Sequence, residues 1–276
     1  MQVLILGTGD AFTRRHFGTS ALIGPDGFAD CARGQGRTPL TPSPSPGRRG
    51  EKAPLVMIDC SDPIHRVLAE ATDQHNLDIG VLDIDDIIIT HLHGDHSNGL
   101  ESFGFFRRIA RTRGLCPTIP RLHINSQSAA RLWSKLAPAM DAPQLGLKEP
   151  SRLQDFFDVK IIEPGTASTM AGLTVECRFT KHPIPTTGLL IRETTGGRTL
   201  GWSSDTPFEQ AHVDWLSRAD VIVHECNVGP AHTHLDELEG LPNHIRAKIR
   251  LIHTTDDFDP GSTTMTVLRD GQMLEV

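Results

Sequence analysis

The stretch Thr90-His91-Leu92-His93-Gly94-Asp95-His96 decides how the rest of the chain is read. It follows Ile87-Ile88-Ile89, an apolar β-branched run suited to a buried strand, so its histidines and aspartate fall in the loop leaving that strand's C-terminal end. Imidazole and carboxylate are ligands for zinc, manganese or iron. Four of them on a short irregular loop can converge on one point as no single helix or strand face allows. The spacing therefore predicts a metal site.

Working outward, other apolar runs end on titratable residues in the same way. The alternating run Leu173 to Thr180 leads into Lys181-His182-Pro183, and Leu189 to Arg192 with Thr199 to Trp202 form a predicted hairpin about Gly196-Gly197 that ends at Ser203-Ser204-Asp205. Val221-Ile222-Val223 leads to His224-Glu225, and Ile249 to Ile252 ends at His253. Residues at the ends of separate strands let one sheet edge gather groups distant in sequence. Helices are expected after Pro63, over Asn98 to about Arg111, after a cap at Ser126, and from Thr206 with Phe208, Ala211, Trp215 and Leu216 on one face. Asp83, Asp85 and Asp86 read as turn and edge carboxylates.

The run His-x-His-x-Asp-His after a hydrophobic strand resembles the signature of the metallo-β-lactamase-fold hydrolases. That resemblance implies an α/β fold, a four-layer αββα sandwich, with a metal centre at one edge of two sheets. It implies two divalent ions, with His91, His93 and His182 on one, Asp95, His96 and His253 on the second, and Asp205 bridging; zinc is the first expectation, manganese or iron the others. Such a pair clamps a substrate oxygen and lowers the pKa of a shared water. Hydrolysis by a metal-bridging hydroxide is thus the expected reaction, with Asp95 orienting it.

Leu6-Gly7-Thr8-Gly9 resembles the opening of the ribonuclease Z and phosphodiesterase branch, and Ile222-Val223-His224-Glu225-Cys226-Asn227 is similar to that branch's His-Glu motif. The resemblance implies His224 as proton donor to the leaving group, with Glu225 holding its imidazole charged. His232 or His234 could act in its place. Read as residues alone, Gly7-Thr8-Gly9 is a strand-ending turn, since no P-loop lysine follows. Only 22 residues lie between His182 and Asp205, too few for the tRNA-gripping arm of ribonuclease Z, so the expected substrate is a small or cyclic nucleotide or ribose phosphate and tRNA is disfavoured. The chain has no tyrosine, whereas lactonases of this fold place one near the metals. A thioesterase or other carbonyl-ester hydrolase is the alternative, and a mononuclear-iron sulfur oxidoreductase the second.

Composition sets the outer bounds. The chain has 276 residues, 38% of them hydrophobic, enough for a single domain with a real core. A net charge of −7 argues against a surface given over to nucleic acid. The five cysteines are widely spaced without a Cys-x-x-Cys pair, as in a reduced compartment, and Met1 to Gly7 reads as a first strand with no basic leader; a cytoplasmic protein without a membrane partner is expected. A homodimer is the default assembly. Residues 32-53, rich in Pro, Ser and Arg, are expected to be a disordered insertion in a hairpin.

Overall fold

The computed structural model describes residues 1–33, 54–143 and 148–276. Its strands are β1 (Gln2–Gly7), β2 (Ser20–Gly24), β3 (Val56–Ile58), β4 (Asp86–Ile89), β5 (Arg121–Ile124), β6 (Asp158–Ile161), β7 (Ser168–Met170), β8 (Leu173–Phe179), β9 (Thr187–Glu193), β10 (Thr199–Trp202), β11 (Val221–Glu225), β12 (Ile249–Ile252), β13 (Thr266–Val267) and β14 (Met273–Glu275). They form two mixed sheets, ordered β14-β1-β2-β3-β4-β5-β6 and β13-β12-β11-β10-β9-β8-β7. The helices are α1 (Ile64–Asp73), α2 (Gly94–Ser97), α3 (Leu100–Thr112), α4 (Ser126–Met140), α5 (Gln210–Leu216), α6 (Leu235–Glu239) and α7 (Asn243–Arg246). No helix among the described residues is long and apolar enough to cross a membrane.

Strand alternation builds the layers. Val3, Ile5 and Ile88 meet Leu189, Ile191, Trp202 and Val223 between the sheets. Leu4, Leu6, Ile87 and Ile89 face the other way, onto Val67, Leu68, Phe103 and Leu132 of α1, α3 and α4. On the far side Leu190, Ile222 and Leu251 pack against Val213, Leu216 and Leu238 of α5 and α6. The result is the αββα sandwich. Burying three such apolar layers supplies the main driving force, at roughly 25 cal/mol per Å².

Several expectations need correction. Asn125 caps α4, its side chain accepting from Ser128 N; Ser126 is the first helical residue. The helix expected from Thr206 begins at Gln210, because Thr206 N is bonded to the Glu225 carboxylate and Thr206 O to Thr233 Oγ1. Ala211 is exposed, and His212, Val213 and Leu216 are the buried face. Asp86 is neither a turn nor an edge residue: it is buried in β4, where Arg121 and His123 donate to it. The insertion expected over 32-53 lies outside the described residues except at its start, where Ala32 bridges to Leu77 and Arg33 pairs with Asp73.

Gly7 and Gly9 are required by packing. A Cβ on Gly7 would lie 2.4 Å from Gly18 O, and one on Gly9 2.6 Å from Thr13 Cγ2. The loop after β1 therefore folds back tightly on the strand end. That is the strand-ending turn read from the sequence.

Candidate metal centre

Side chains from four strand ends meet at one edge of the two sheets. The loop after β4 carries His91, His93, Asp95 and His96; His182 follows β8, Asp205 follows β10 and His253 follows β12. Three groups have their ligand atoms all within 4.8 Å of one another: His91, His93, His182 and Asp205; Asp95, His96 and His253; and Asp205, His232 and His253. Asp205 reaches residues of all three. Its Oδ2 lies 3.6 Å from His91 Nε2, 3.7 Å from His182 Nε2 and 3.4 Å from His253 Nε2, and its Oδ1 lies 3.3 Å from His96 Nε2. Asp95 Oδ2 is 3.2 Å from His96 Nε2 and 4.0 Å from His253 Nε2. All seven residues named as ligands from the sequence are thus gathered in one place.

The imidazoles are turned to present one nitrogen. His91 Nδ1 is engaged by Thr90 Oγ1 (3.0 Å), His96 Nδ1 by Asp59 Oδ2 (2.8 Å), His253 Nδ1 by Thr19 Oγ1 (2.9 Å) and His182 Nδ1 by Ala231 O (3.3 Å). In each case Nε2 is left for the interior. Outer partners of this kind fix the tautomer and orientation of metal-ligating histidines. His96 Nε2 is buried and makes no well-aligned hydrogen bond among the described residues, although it faces the Asp95 and Asp205 carboxylates at 3.2 and 3.3 Å; a cation between these groups would fit them.

Electrostatics agree with that fit. Burial lowers the pKa of His91, His93, His253 and, to about 4, His182, so these rings are neutral with lone pairs available. Burial works against the charges of Asp95 and Asp205, yet the surrounding imidazoles hold both well below the usual carboxylate range. At His96 burial also disfavours the charge, but the carboxylates of Asp205, Asp95 and Asp59 outweigh it and raise the pKa, an attraction for positive charge that a divalent ion would answer. Carboxylates held ionised among imidazoles are a donor set for divalent metal.

The His-Glu pair is not the expected one. Val221 and Val223 face the inter-sheet core and Ile222 the outer helices, so alternation sends His224 outward with Ile222. There it is 1% exposed, its Nδ1 lies 2.7 Å from Glu225 O, and burial lowers its pKa to about 4. It does not line the cleft. Glu225 instead holds His232, whose Nδ1 lies 3.1 and 3.0 Å from the two carboxylate oxygens. His232 lines the cleft beside His182 and His253, with ring centroids 5.6 and 5.5 Å away. His234 is exposed and caps α6, its Nε2 3.0 Å from Gly229 O.

Asp59 was not singled out from the sequence. It is fully buried, accepts from Thr90 N (2.8 Å) and Thr90 Oγ1 (2.8 Å), and orients His96. An aspartate directly after the apolar run Leu55-Val56-Met57-Ile58 was the available signal.

Two sheets with outer helices and a His/Asp cluster at their shared edge define a metallo-β-lactamase-fold protein with a site able to bind metal. The chain is similar in fold to YhfI from Bacillus subtilis (TM-score 0.71, 14% identity, covering 99% of this chain and 98% of that one). It is similar also to a diphosphatase from the PhnP family (TM-score 0.67, 15% identity, 100% and 97% covered) and to the short form of human tRNase Z (0.63, 16%, 100% and 99%). The model of the family Anti-Pycsar protein Apyc1 matches residues 51–274, and the chain belongs to that family. Relatives bearing that name include proteins of Saccharibacillus brassicae, 29% identical over 265 residues (93% of this chain, 91% of the relative), and of Bacillus phage 010DV004, 25% identical over 284 residues (98% and 95%).

Proposed function

We propose that this chain is a metal-dependent phosphodiesterase acting on a small or cyclic nucleotide or ribose phosphate, with His232, oriented by Glu225, as the proton donor. The observation that carries the reading is the pairing of a buried carboxylate with a cleft-lining histidine at the rim of the His/Asp cluster. His91, His93 and His182 would hold one divalent ion, Asp95, His96 and His253 a second, with Asp205 shared; zinc suits this donor set, and manganese or iron is compatible with it. Divalent ions bound there supply Lewis acidity and an acidified water at neutral pH.

The chain's own groups do the rest. Glu225 is 1% exposed and accepts on both oxygens from His232 Nδ1, which fixes the ring and makes Nε2 the atom that hands a proton to the leaving oxygen. The cleft holds about 860 Å³, room for a nucleotide.

The test is a substrate panel: 2′,3′- and 3′,5′-cyclic nucleotides, a ribose cyclic phosphate, a bis-aryl phosphate, a precursor tRNA and a thioester, each with and without chelator. A cyclic diester should turn over in a chelator-sensitive way. His232→Ala should lower kcat by about 10²–10⁴-fold with Glu225→Gln following it, a loss not shared by His224→Gln on the opposite face of β11. Thioester turnover in the absence of any diester cleavage, or an equal loss in all three variants, would refute the reading.

A further inference from the structure

The two most exposed large apolar side chains among the described residues are Phe12 (89%) and Val228 (69%), and both line the cleft that holds the His/Asp cluster. Leaving a phenylalanine in water forgoes about 1.5–3 kcal/mol of burial, so two such groups on the walls of one cavity mark a surface that something covers.

Phe12 does not sit on a loose tip. Asp10 Oδ1 accepts from Phe12 N (2.9 Å), while Asp256 accepts from Thr13 Oγ1 (2.6 Å), Arg14 N (2.8 Å) and Arg15 N (3.3 Å). Asn227 joins both walls to the site: its Nδ2 donates to Asp10 Oδ2 (3.1 Å) and to His253 O (2.9 Å), and its Oδ1 accepts from Val228 N (2.7 Å). One buried amide thus ties the Phe12 loop, the Val228 turn and the backbone of a candidate ligand together. The aromatic face is held at a set position relative to the cluster.

Building on the phosphodiesterase reading, we propose that Phe12 and Val228 form a nucleobase subsite, Phe12 stacking on the base and Val228 closing the apolar wall, while the phosphodiester of the same molecule lies at the His/Asp cluster. A ring open on so much of its surface suits a flat, aromatic ligand better than an acyl chain, which a tube of side chains would have to enclose. Stacking also asks for no edge-specific hydrogen bonds, since every base presents a π-face.

The experiment compares the metal-loaded wild type, Phe12→Ala, Phe12→Trp and Val228→Ala on two substrates: 3′,5′-cyclic CMP, and the same cyclic phosphate on methyl riboside, which lacks a base. Binding of 3′,5′-cyclic CMP is also measured by calorimetry in the presence of chelator, so that affinity is read without turnover. Phe12→Ala should lower kcat/KM for the nucleotide relative to the abasic substrate by roughly 5- to 150-fold, the range for loss of one base–aromatic stack, with most of the change in KM and with Phe12→Trp restoring it. Val228→Ala should shift the same ratio in the same direction by less. An unchanged ratio in Phe12→Ala overturns the subsite. So does a shift from dimer to monomer in sedimentation with the ratio unchanged, which would assign the apolar rim to a contact between copies. If the wild type cleaves neither substrate but Phe12→Ala weakens nucleotide binding, the phosphodiesterase reading falls and the subsite stands. If the wild type neither cleaves nor binds the nucleotide, both fall.

Discussion

Replacing Asp59 with asparagine should separate metal affinity from folding. Asp59 Oδ2 lies 2.8 Å from His96 Nδ1 and the same carboxylate accepts from Thr90 N and Thr90 Oγ1. The ionised carboxylate can only accept, so it holds a His96 proton on Nδ1 and makes Nε2, which faces Asp95 and Asp205, the nitrogen that would bind a metal. Asparagine has nearly the same shape, and its oxygen can keep the bond from Thr90 N. Its amide nitrogen would donate to His96 Nδ1, and the histidine proton would move to Nε2, the atom needed as a ligand. Loss of such an outer partner typically costs 10–100-fold in metal affinity, or about 1.4–2.8 kcal/mol at 1.4 kcal/mol per factor of ten. The assay is zinc competition against a chromophoric chelator, run beside urea unfolding of the metal-free proteins. An Asp59→Asn protein that folds like the wild type and binds zinc equally tightly would refute the tautomer argument.

Ser204 has φ 55° and an Oγ with no hydrogen-bond partner among the described residues, so its side chain contributes strain without a compensating bond. Ser204→Gly should therefore raise stability by about 1 kcal/mol, the cost of a left-handed residue, read as a higher urea midpoint; a lower midpoint would contradict this. A second prediction concerns acid. Burial pushes the Asp86 pKa up, but hydrogen bonds from His123 and Arg121 outweigh it and the net shift is downward. A carboxylate depressed in the folded state stabilises above its unfolded value near 3.8 and loses that contribution as pH falls through the folded value below it. The stability gap between wild type and Asp86→Asn should be largest near pH 6 and shrink below about pH 4; a gap that is constant or grows in acid would refute the assignment.

The His/Asp cluster was legible because apolar runs stop abruptly on titratable residues, and the run itself fixes where the stop falls: Ile87 to Ile89 before His91, Ile249 to Ile252 before His253. The placement of His224 went wrong although the needed signal was present. Alternation through Val221-Ile222-Val223 already put His224 on the face of Ile222 and Glu225 on the face of Val223, so the carboxylate, not the imidazole, follows the inner face toward the site. The partner of that carboxylate lay beyond local reading, since His232 returns to Glu225 through an irregular segment pinned by Asn227 N to Thr233 O and Thr233 Oγ1 to Thr206 O. The role of Asp59 depends on the parallel register of Ile58 with Ile88, which brings the ends of β3 and β4 side by side. Nothing local encodes that register.

The backbone at these strand ends is part of how the site is built. Asp59, Ser204 and His253 have φ of 58°, 55° and 59° and directly or closely follow β3, β10 and β12. An extended chain would carry successive side chains alternately to opposite faces and away from the edge. A single left-handed residue turns the chain at once, at a cost of order 1–3 kcal/mol. At Asp59 and His253 glycine would remove that cost and also remove a carboxylate bonded to His96 or an imidazole 3.4 Å from Asp205. The side chain is therefore what justifies the strain at those two positions. At Ser204 the neighbouring Asp205 receives the benefit instead, which is why Ser204 alone of the three can become glycine without loss to the cluster.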